Sequence, residues 1–242
     1  MVPPMPMDVC GALSQGQLGY LLAQALDNAL RRRRLSQRVL SLVTQVVVDG
    51  RDPAFRRPTK PVGPSYARPD AQRIAQETGQ VFAIQPSGQW RRLVASPEPL
   101  RFVEQAPLRA LVDAGHVVVA GGGGGVPVVE DRGQLRGVEA VVDKDRSAAL
   151  LAQAVGADAL LILTEVPRVQ VGFGTPDARA LDTVTVAQAS ALLAAGEFPE
   201  GSMGPKVQAC VRFVESGGRA AIGALEQAND VLAGRAGTWF TP

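Results

Sequence analysis

Two lysines in this chain stand where helices begin. Lys144 lies in Val141–Ser147, VVDKDRS, flanked by Asp143 and Asp145 at the junction between an apolar stretch and a helical one. Helix starts favour Asp, and their exposed N–H groups attract phosphate. Lys144 could meet a phosphoryl oxygen as a point charge, with Asp145 orienting that lysine or a metal-bound water. The same residues also fit an acidic helix start with a solvated lysine. Lys206 closes Gly201–Lys206, GSMGPK. There Pro205 suits the first helical position, and Gly204 lets the backbone approach a ligand. A lysine in a first turn opposes the helix dipole by only ~0.3–1 kcal/mol, so both an anionic ligand and a solvated lysine remain open. A third feature is Gly121–Gly125, which follows the short apolar run Val117–Ala120. Glycines permit positive φ, and glycine-rich turns after buried parallel strands are where α/β sheets hold phosphates. The run is neither GxGxxG nor a P-loop, because Pro127 and Val128–Val129 continue extended and no GK[ST] follows. Phosphoryl transfer asks a protein mainly for positioning and for cations around the moving charge, which this set supplies. Covalent catalysis by Ser or Cys lacks its obligatory base here.

Something must hold these groups. Ser14 can cap a helix reaching Arg34, with Leu18, Leu21, Leu22, Ala25 and Leu26 on one face. Residues 38–48 read as a strand. Residues 49–66 hold Asp52-Pro53, Arg57-Pro58, Lys60-Pro61 and Gly63-Pro64 and read as loop. A short helix over 70–78 and a hairpin of 81–84 with 90–94 follow, so that residues 50–100 form a protruding insert. A helix over 104–114, stopped by Gly115, leads into the central strand and the glycine loop. Beyond a tight turn near 131–137 the pattern gives helix 147–155, strand 159–163 with Thr164 and Glu165 at its end, helix 184–195, helix 205–216, strand 220–222 and helix 224–232. Met1–Pro6 carries three prolines and suits neither helix nor central strand. Strand, helix and strand after a glycine loop predict an α/β fold with a parallel sheet covered by helices on both faces.

A chain of 242 residues makes one large domain or two small ones. Hydrophobic content of 46% and charged content of 20% are ordinary for a globular protein with a sizeable core. The net charge of +2 argues against nucleic acid as a partner, and Arg31–Arg34 suits a helix end. Cys10 and Cys210 are far apart with no CxxC, which excludes a disulfide framework and points to a reducing cytoplasm. His116 is alone and cannot build a His-rich metal site. No apolar run reaches ~18 residues, so no membrane span is expected, and the first residues do not form a signal peptide.

Together these residues resemble the carbamate kinases of the amino acid kinase fold. The matching pieces run in family order: Met7–Tyr20 (MDVCGALSQGQLGY), Thr44–Tyr66, Trp90–Pro99 (WRRLVASPEP), Ala120–Val128 (AGGGGGVPV), Ala140–Arg146 (AVVDKDR), Leu161–Val166 (LILTEV), Phe173–Asp177 (FGTPD) and Gly201–Lys206. The resemblance implies a single three-layer αβα sandwich around a mainly parallel sheet, with the 50–100 subdomain inserted in it, and a homodimer. It implies reversible phosphoryl transfer between ATP and carbamate through carbamoyl phosphate, with Mg²⁺, in arginine and carbamoyl phosphate catabolism. Lys144 and Lys206 would neutralise the transferred phosphoryl group and Asp145 would organise them. Lys60 would come from the insert toward the substrate. Gly121, Gly122, Gly123 and Gly124 would hold the small substrate and phosphate. Thr164, Glu165, Val166, Phe173, Gly174, Pro176, Met203 and Gly204 would line the nucleotide side.

The chain also departs from that pattern. The family's GGNA and GNGPQVG segments are missing, which implies an N-terminally truncated sheet without its first βαβ portion and weak activity for the chain as written. VGFGTP, Val171–Pro176, replaces INFGKP and places Thr175 where a lysine is usual, and Glu165 replaces an Asp. A second reading follows from these departures: a catalytically impaired remnant that binds nucleotide or dimerises.

Overall fold

The computed structural model describes residues 5–199 and 201–242. They form two compact units. One comprises the residues up to Glu104 together with Gly115–Asp143, and the other Gln105–Ala114 with Lys144–Pro242.

The first unit opens with α1 (Met7–Arg32), which starts directly after Pro6 rather than at Ser14. Nothing between Pro6 and Ser14 stops a helix, since Gly11 is only mildly unfavourable there. The expectation for Met1–Pro4 falls outside the described residues. The leucine face expected to pack does not pack. Leu18, Leu21, Leu22 and Leu26 are 40–57% exposed, while Gln15 and Gly19 are buried. A Cβ on Gly19 would collide with Ser41 Oγ, so the helix backbone approaches β1 (Val39–Ser41) along its small residues.

The strand expected over 38–48 is two strands, β1 and β2 (Gln45–Val48), separated at residues 42–44. The split arises because each serves a different ladder. The segment expected to be loop contains β3 (Lys60–Tyr66). There follow α2 (Arg68–Thr78), the expected hairpin of β4 (Val81–Ile84) and β5 (Trp90–Val94), then β6 (Pro99–Phe102), β7 (Val117–Val119), β8 (Val126–Asp131) and β9 (Gln134–Gly137). The order β3-β5-β4 makes a small antiparallel sheet with β3 at its edge. Pro61 and Pro64 are tolerated there because an edge strand has no partner on one side, and the register shifts between Val62 and Tyr66. β1 pairs with β7 in parallel. β2 lies between β6 and β8, and its Val46, Val47 and Val48 are buried with Phe102, Val126 and Val128. β8 and β9 form a hairpin through Arg132 and Gly133, both at positive φ, as a two-residue turn requires.

The second unit holds α3 (Gln105–Asp113), α4 (Lys144–Val155), β10 (Ala159–Thr164), β11 (Gln170–Val171), β12 (Arg179–Ala180), β13 (Thr183–Thr185), α5 (Val186–Ala194), α6 (Met203–Glu215), β14 (Arg219–Ala224), α7 (Ala228–Leu232) and β15 (Thr238–Thr241). The sheet order is β10-β14-β15-β13, with β10 and β14 parallel and β15 antiparallel to β14. α4 begins three residues earlier than its apolar pattern suggested and α6 two earlier, so Pro205 is the third helical residue rather than the first. Thr185 caps α5 in a capping box with Gln188.

β14 shows why this unit is layered. Ala220, Ala221 and Ile222 are fully buried, and successive strand residues face opposite sides, so both faces are covered. Ala220 and Ile222 join the core that contains Val207, Cys210 and Phe213 of α6. Gly223 faces Val231 of α7, where a Cβ would meet the valine at 2.5 Å. Helix, sheet and helix therefore stack as three layers, and the chain as a whole is the expected mixed α/β fold rich in parallel pairs.

Candidate active site

The glycine loop is anchored from behind by a buried polar network. Gln15 and Thr44 are 6% and 0% exposed. The amide of Gln15 donates to the Thr44 carbonyl at 3.1 Å, and its oxygen accepts from Thr44 N at 3.0 Å and Thr44 Oγ1 at 3.1 Å. Thr44 Oγ1 in turn accepts from Gly121 N at 2.9 Å. Satisfying a buried side chain through the backbone it positions makes the geometry specific, because any partner left alone would be costly. Gly121, Gly123, Gly124 and Gly125 all have positive φ. Gly122 sits 3.3 Å, measured from an ideal Cβ, from Gln15 Cγ. Gly122 and Gly123 then line a groove of about 360 Å³ against Cys10, Gln15, Leu18 and Leu22 of α1. Neither Gln15 nor Thr44 was singled out from sequence. Both lie inside the matched segments Met7–Tyr20 and Thr44–Tyr66, where Gln15 is a polar residue amid the small residues Gly11, Ala12 and Gly19 of a helix, but no local pattern marks the two as partners.

Lys60 lies elsewhere in the same unit, as the first residue of β3. Its Nζ is 3.0 Å from Asp143 Oδ2. Asp143 is 6% exposed.

In the second unit the two lysines at helix starts do meet. Lys206 Nζ donates to Asp145 Oδ2 at 2.8 Å, and Lys144 Nζ stands 3.5 Å from the same oxygen. The side chains of Lys206 and Asp145 are 11% and 8% exposed, whereas that of Lys144 is 64% exposed. The position follows from local structure. Asp145 is in the first turn of α4, where a carboxylate is favoured, and α6 packs on α4 so that Lys206 reaches it. Burial chiefly, and then the Asp145 carboxylate, push the neighbouring Cys210 thiol well above its ordinary range, while the Lys206 ammonium acts the other way. Of the expected nucleotide-side residues, Val166, Phe173 and Met203 line one recess of about 110 Å³ with Phe198, Arg168 and Glu197. Thr164 ends β10 and Glu165 follows it. Gly174 and Pro176 lie on the exposed loop beside Phe173, and Gly204 is buried at the start of α6. Glu197 accepts a hydrogen bond from Gly172 N and so braces that loop, a contact 25 residues apart with no motif to announce it.

Lysines joined by a carboxylate near a helix start, on an α/β scaffold, are the equipment of a phosphotransferase. The amino acid kinase family model matches residues 5–223, and the chain belongs to that family. Its relatives there include carbamate kinases. That of Pyrococcus horikoshii is 47% identical over 242 residues, all of this chain and 77% of the relative. That of Clostridium perfringens is 43% identical over 98% of this chain and 76% of its own length. Among solved structures, carbamate kinase from Giardia lamblia bound to AMP-PNP superposes with a TM-score of 0.92 at 38% identity, covering 100% of this chain and 77% of that one.

Proposed function

We propose that this protein transfers a phosphoryl group reversibly between ATP and carbamate. In the ATP-forming direction, the bond between phosphorus and the carbamoyl oxygen of carbamoyl phosphate breaks. A terminal oxygen of ADP bonds to that phosphorus, and carbamate leaves. One observation carries the reading: Asp145 Oδ2 lies between Lys206 and Lys144, on a chain that shares 42–48% identity with carbamate kinases and their near relatives. The two ammoniums neutralise charge on the transferring group, and Asp145 fixes Lys206 in place. Lys60 is assigned to the small anionic substrate, and the glycine loop to its oxygens. Val166, Phe173 and Met203 are assigned to the nucleotide, with Thr164, Glu165, Gly174, Pro176 and Gly204 around them.

Among the described residues no three His, Cys, Asp or Glu side chains gather as a metal site, and the carboxylates of Asp143 and Asp145 are engaged by lysines. That donor set fits a Mg²⁺ ion held chiefly by nucleotide phosphates, where it supplies further charge neutralisation. Among the described residues no helix is long and apolar enough to cross a membrane. We assign the protein to the cytoplasm and to the consumption of carbamoyl phosphate in arginine catabolism. We also assign it a homodimeric state, supported by the exposed Leu13, Tyr20, Leu21 and Leu26 of α1.

The test is ATP formation from carbamoyl phosphate and MgADP by the purified chain, read with a coupled assay, alongside calorimetric titration of MgADP. Turnover that falls by about a hundredfold in folded Lys206→Ala supports the reading. Nucleotide binding without turnover would transfer the chain to the second reading, a binding remnant of the family.

A further inference from the structure

We propose that Asp143 is a positioning residue, whose buried carboxylate holds Lys60 in the orientation from which it meets a small anion. The substrate part of this inference rests on the phosphotransferase reading above. The pairing itself rests on geometry alone.

Lys60 stands at the start of an edge strand, and its side chain is 33% exposed, so nothing in β3 itself fixes a flexible four-carbon stem. Asp143 supplies the fixed point. Its side chain is 8% exposed and its Oδ2 lies 3.0 Å from Lys60 Nζ. An ammonium has three donors, so this bond leaves others for an incoming oxygen. The carboxylate is held in turn by the stretch on which the small sheet rests. Ala95, just beyond β5, bridges Ala140, and Val141 N donates to the Ala95 carbonyl at 2.9 Å. Arg92 of β5 pairs with Glu139. Residues 139–143 therefore grip the small sheet at two ion pairs, one on β5 and one on β3, with a backbone contact between them. Arg92 and Val62 are opposite one another in the register, so the two pairs act on adjacent strands of one rigid sheet.

The experiment uses the full 242-residue chain. Lysines are pulse-labelled with acetic anhydride and read by mass spectrometry, with Lys144 as internal reference. Asp143→Asn should label Lys60 about tenfold faster than the parent, the factor set by loss of a charged hydrogen bond. Lys144 should not change. Equal Lys60 rates would overturn the pairing. If Asp143→Asn does not fold, Asp143→Glu decides in its place: a displaced carboxylate should let Lys60 label faster than in the parent, and an unchanged rate would overturn the pairing. Kinetics then test positioning. Asp143→Asn should lower kcat/KM for carbamoyl phosphate by roughly tenfold to a hundredfold, as misplacement of a positioning group does. The KM for MgADP should stay unchanged, and Lys60→Ala/Asp143→Asn should be no worse than Lys60→Ala. Additive losses, or a matching rise in the MgADP KM, would overturn positioning. A parent that forms no ATP defeats the kinase reading instead, and the labelling ratio still decides whether Asp143 holds Lys60.

Discussion

Replacing Lys206 by alanine should damage both stability and turnover, whereas replacing Lys144 should damage chiefly turnover. Lys206 and Asp145 form a buried pair at 2.8 Å, and removing one partner of such a pair typically costs ~3–5 kcal/mol because the remaining charge loses its buried counter-ion. Lys144 keeps a 3.5 Å contact with the same oxygen, but its side chain is 64% exposed. An exposed partner of this kind recovers only ~0–1 kcal/mol. The net cost of Lys206→Ala is then about 3 kcal/mol. For a chain of this size that lowers Tm by roughly 6–12 °C, taking ~2–4 °C per kcal/mol. Lys144→Ala should shift Tm by about 4 °C at most on the same scale. Each substitution should reduce ATP formation by about a hundredfold, the scale for removing one group that stabilises transition-state charge. The double variant Asp145→Leu/Lys206→Met separates the two effects. It should regain most of the lost Tm, since apolar residues often replace a buried ion pair without loss, and it should remain inactive. Thermal unfolding followed by circular dichroism, with the coupled ATP assay on the same samples, reads all four proteins. If Lys206→Ala melted no lower than Lys144→Ala, the claim that Lys206 is the buried structural partner of Asp145 would be refuted.

Gln15→Ala should lower the urea midpoint and weaken carbamoyl phosphate use together. It leaves Thr44 N without its side-chain partner, at ~1–3 kcal/mol for a buried group, while Thr44 O keeps its bond from Val126 N, and it frees the hydroxyl that orients Gly121. Gly125→Ala should cost roughly 1–3 kcal/mol in denaturant titration, because φ is +88° and a Cβ would press within 3.2–3.3 Å of Val46 and Phe102. In the folded chain a disulfide reagent should modify Cys10 rapidly and Cys210 only on unfolding, since Cys10 is exposed and burial raises the Cys210 thiol. That raised value also sets a pH trend. The folded state retains a proton that the unfolded state loses above its ordinary value of 9.0, so this contribution to stability is present below pH 9 and declines as pH rises beyond it. Urea midpoints of the parent and Cys210→Ala across pH 8–11 check it, and parallel curves would refute it.

The sequence made the punctuation of this fold readable. Gly115 does follow α3, the glycine run does separate two extended segments, and the hairpin around Pro86-Ser87-Gly88 forms as expected. Local chemistry decides those features. Long-range geometry decides the rest. Periodicity located the leucines of α1, but which face of a helix is covered depends on how closely its backbone can approach a sheet, and there Gly19 outranked Leu22. Prolines in 60–66 suggested loop, because nothing local shows that a strand will lie at an edge. β11, β12, β13 and β15 are two to four residues long, too short for any period to register. Lys206 and Asp145 are 61 residues apart, and composition cannot bring them together. Only the combined motifs suggested that they act as a pair. Asp143 was legible as an acid beside Lys144, but its partner, Lys60, lies 83 residues earlier.

The carboxylate shared by two lysines also fixes a quantity that no single distance expresses. Counted over Lys144, Lys206 and Asp145, two ammoniums and one carboxylate sum to one net positive charge. A phosphoryl group in transit is loose and metaphosphate-like, a monoanion, whereas the terminal phosphate at either end of the reaction carries more charge than that. On the phosphotransferase reading proposed above, these three groups would match in charge the group they meet while it moves. Removing the carboxylate would leave both ammoniums uncompensated at this point, and on that reading they would hold the resting phosphate more tightly without a matching gain at the barrier. On that reading Asp145 would serve as ballast, keeping the pull on the phosphoryl group from exceeding what the passage requires.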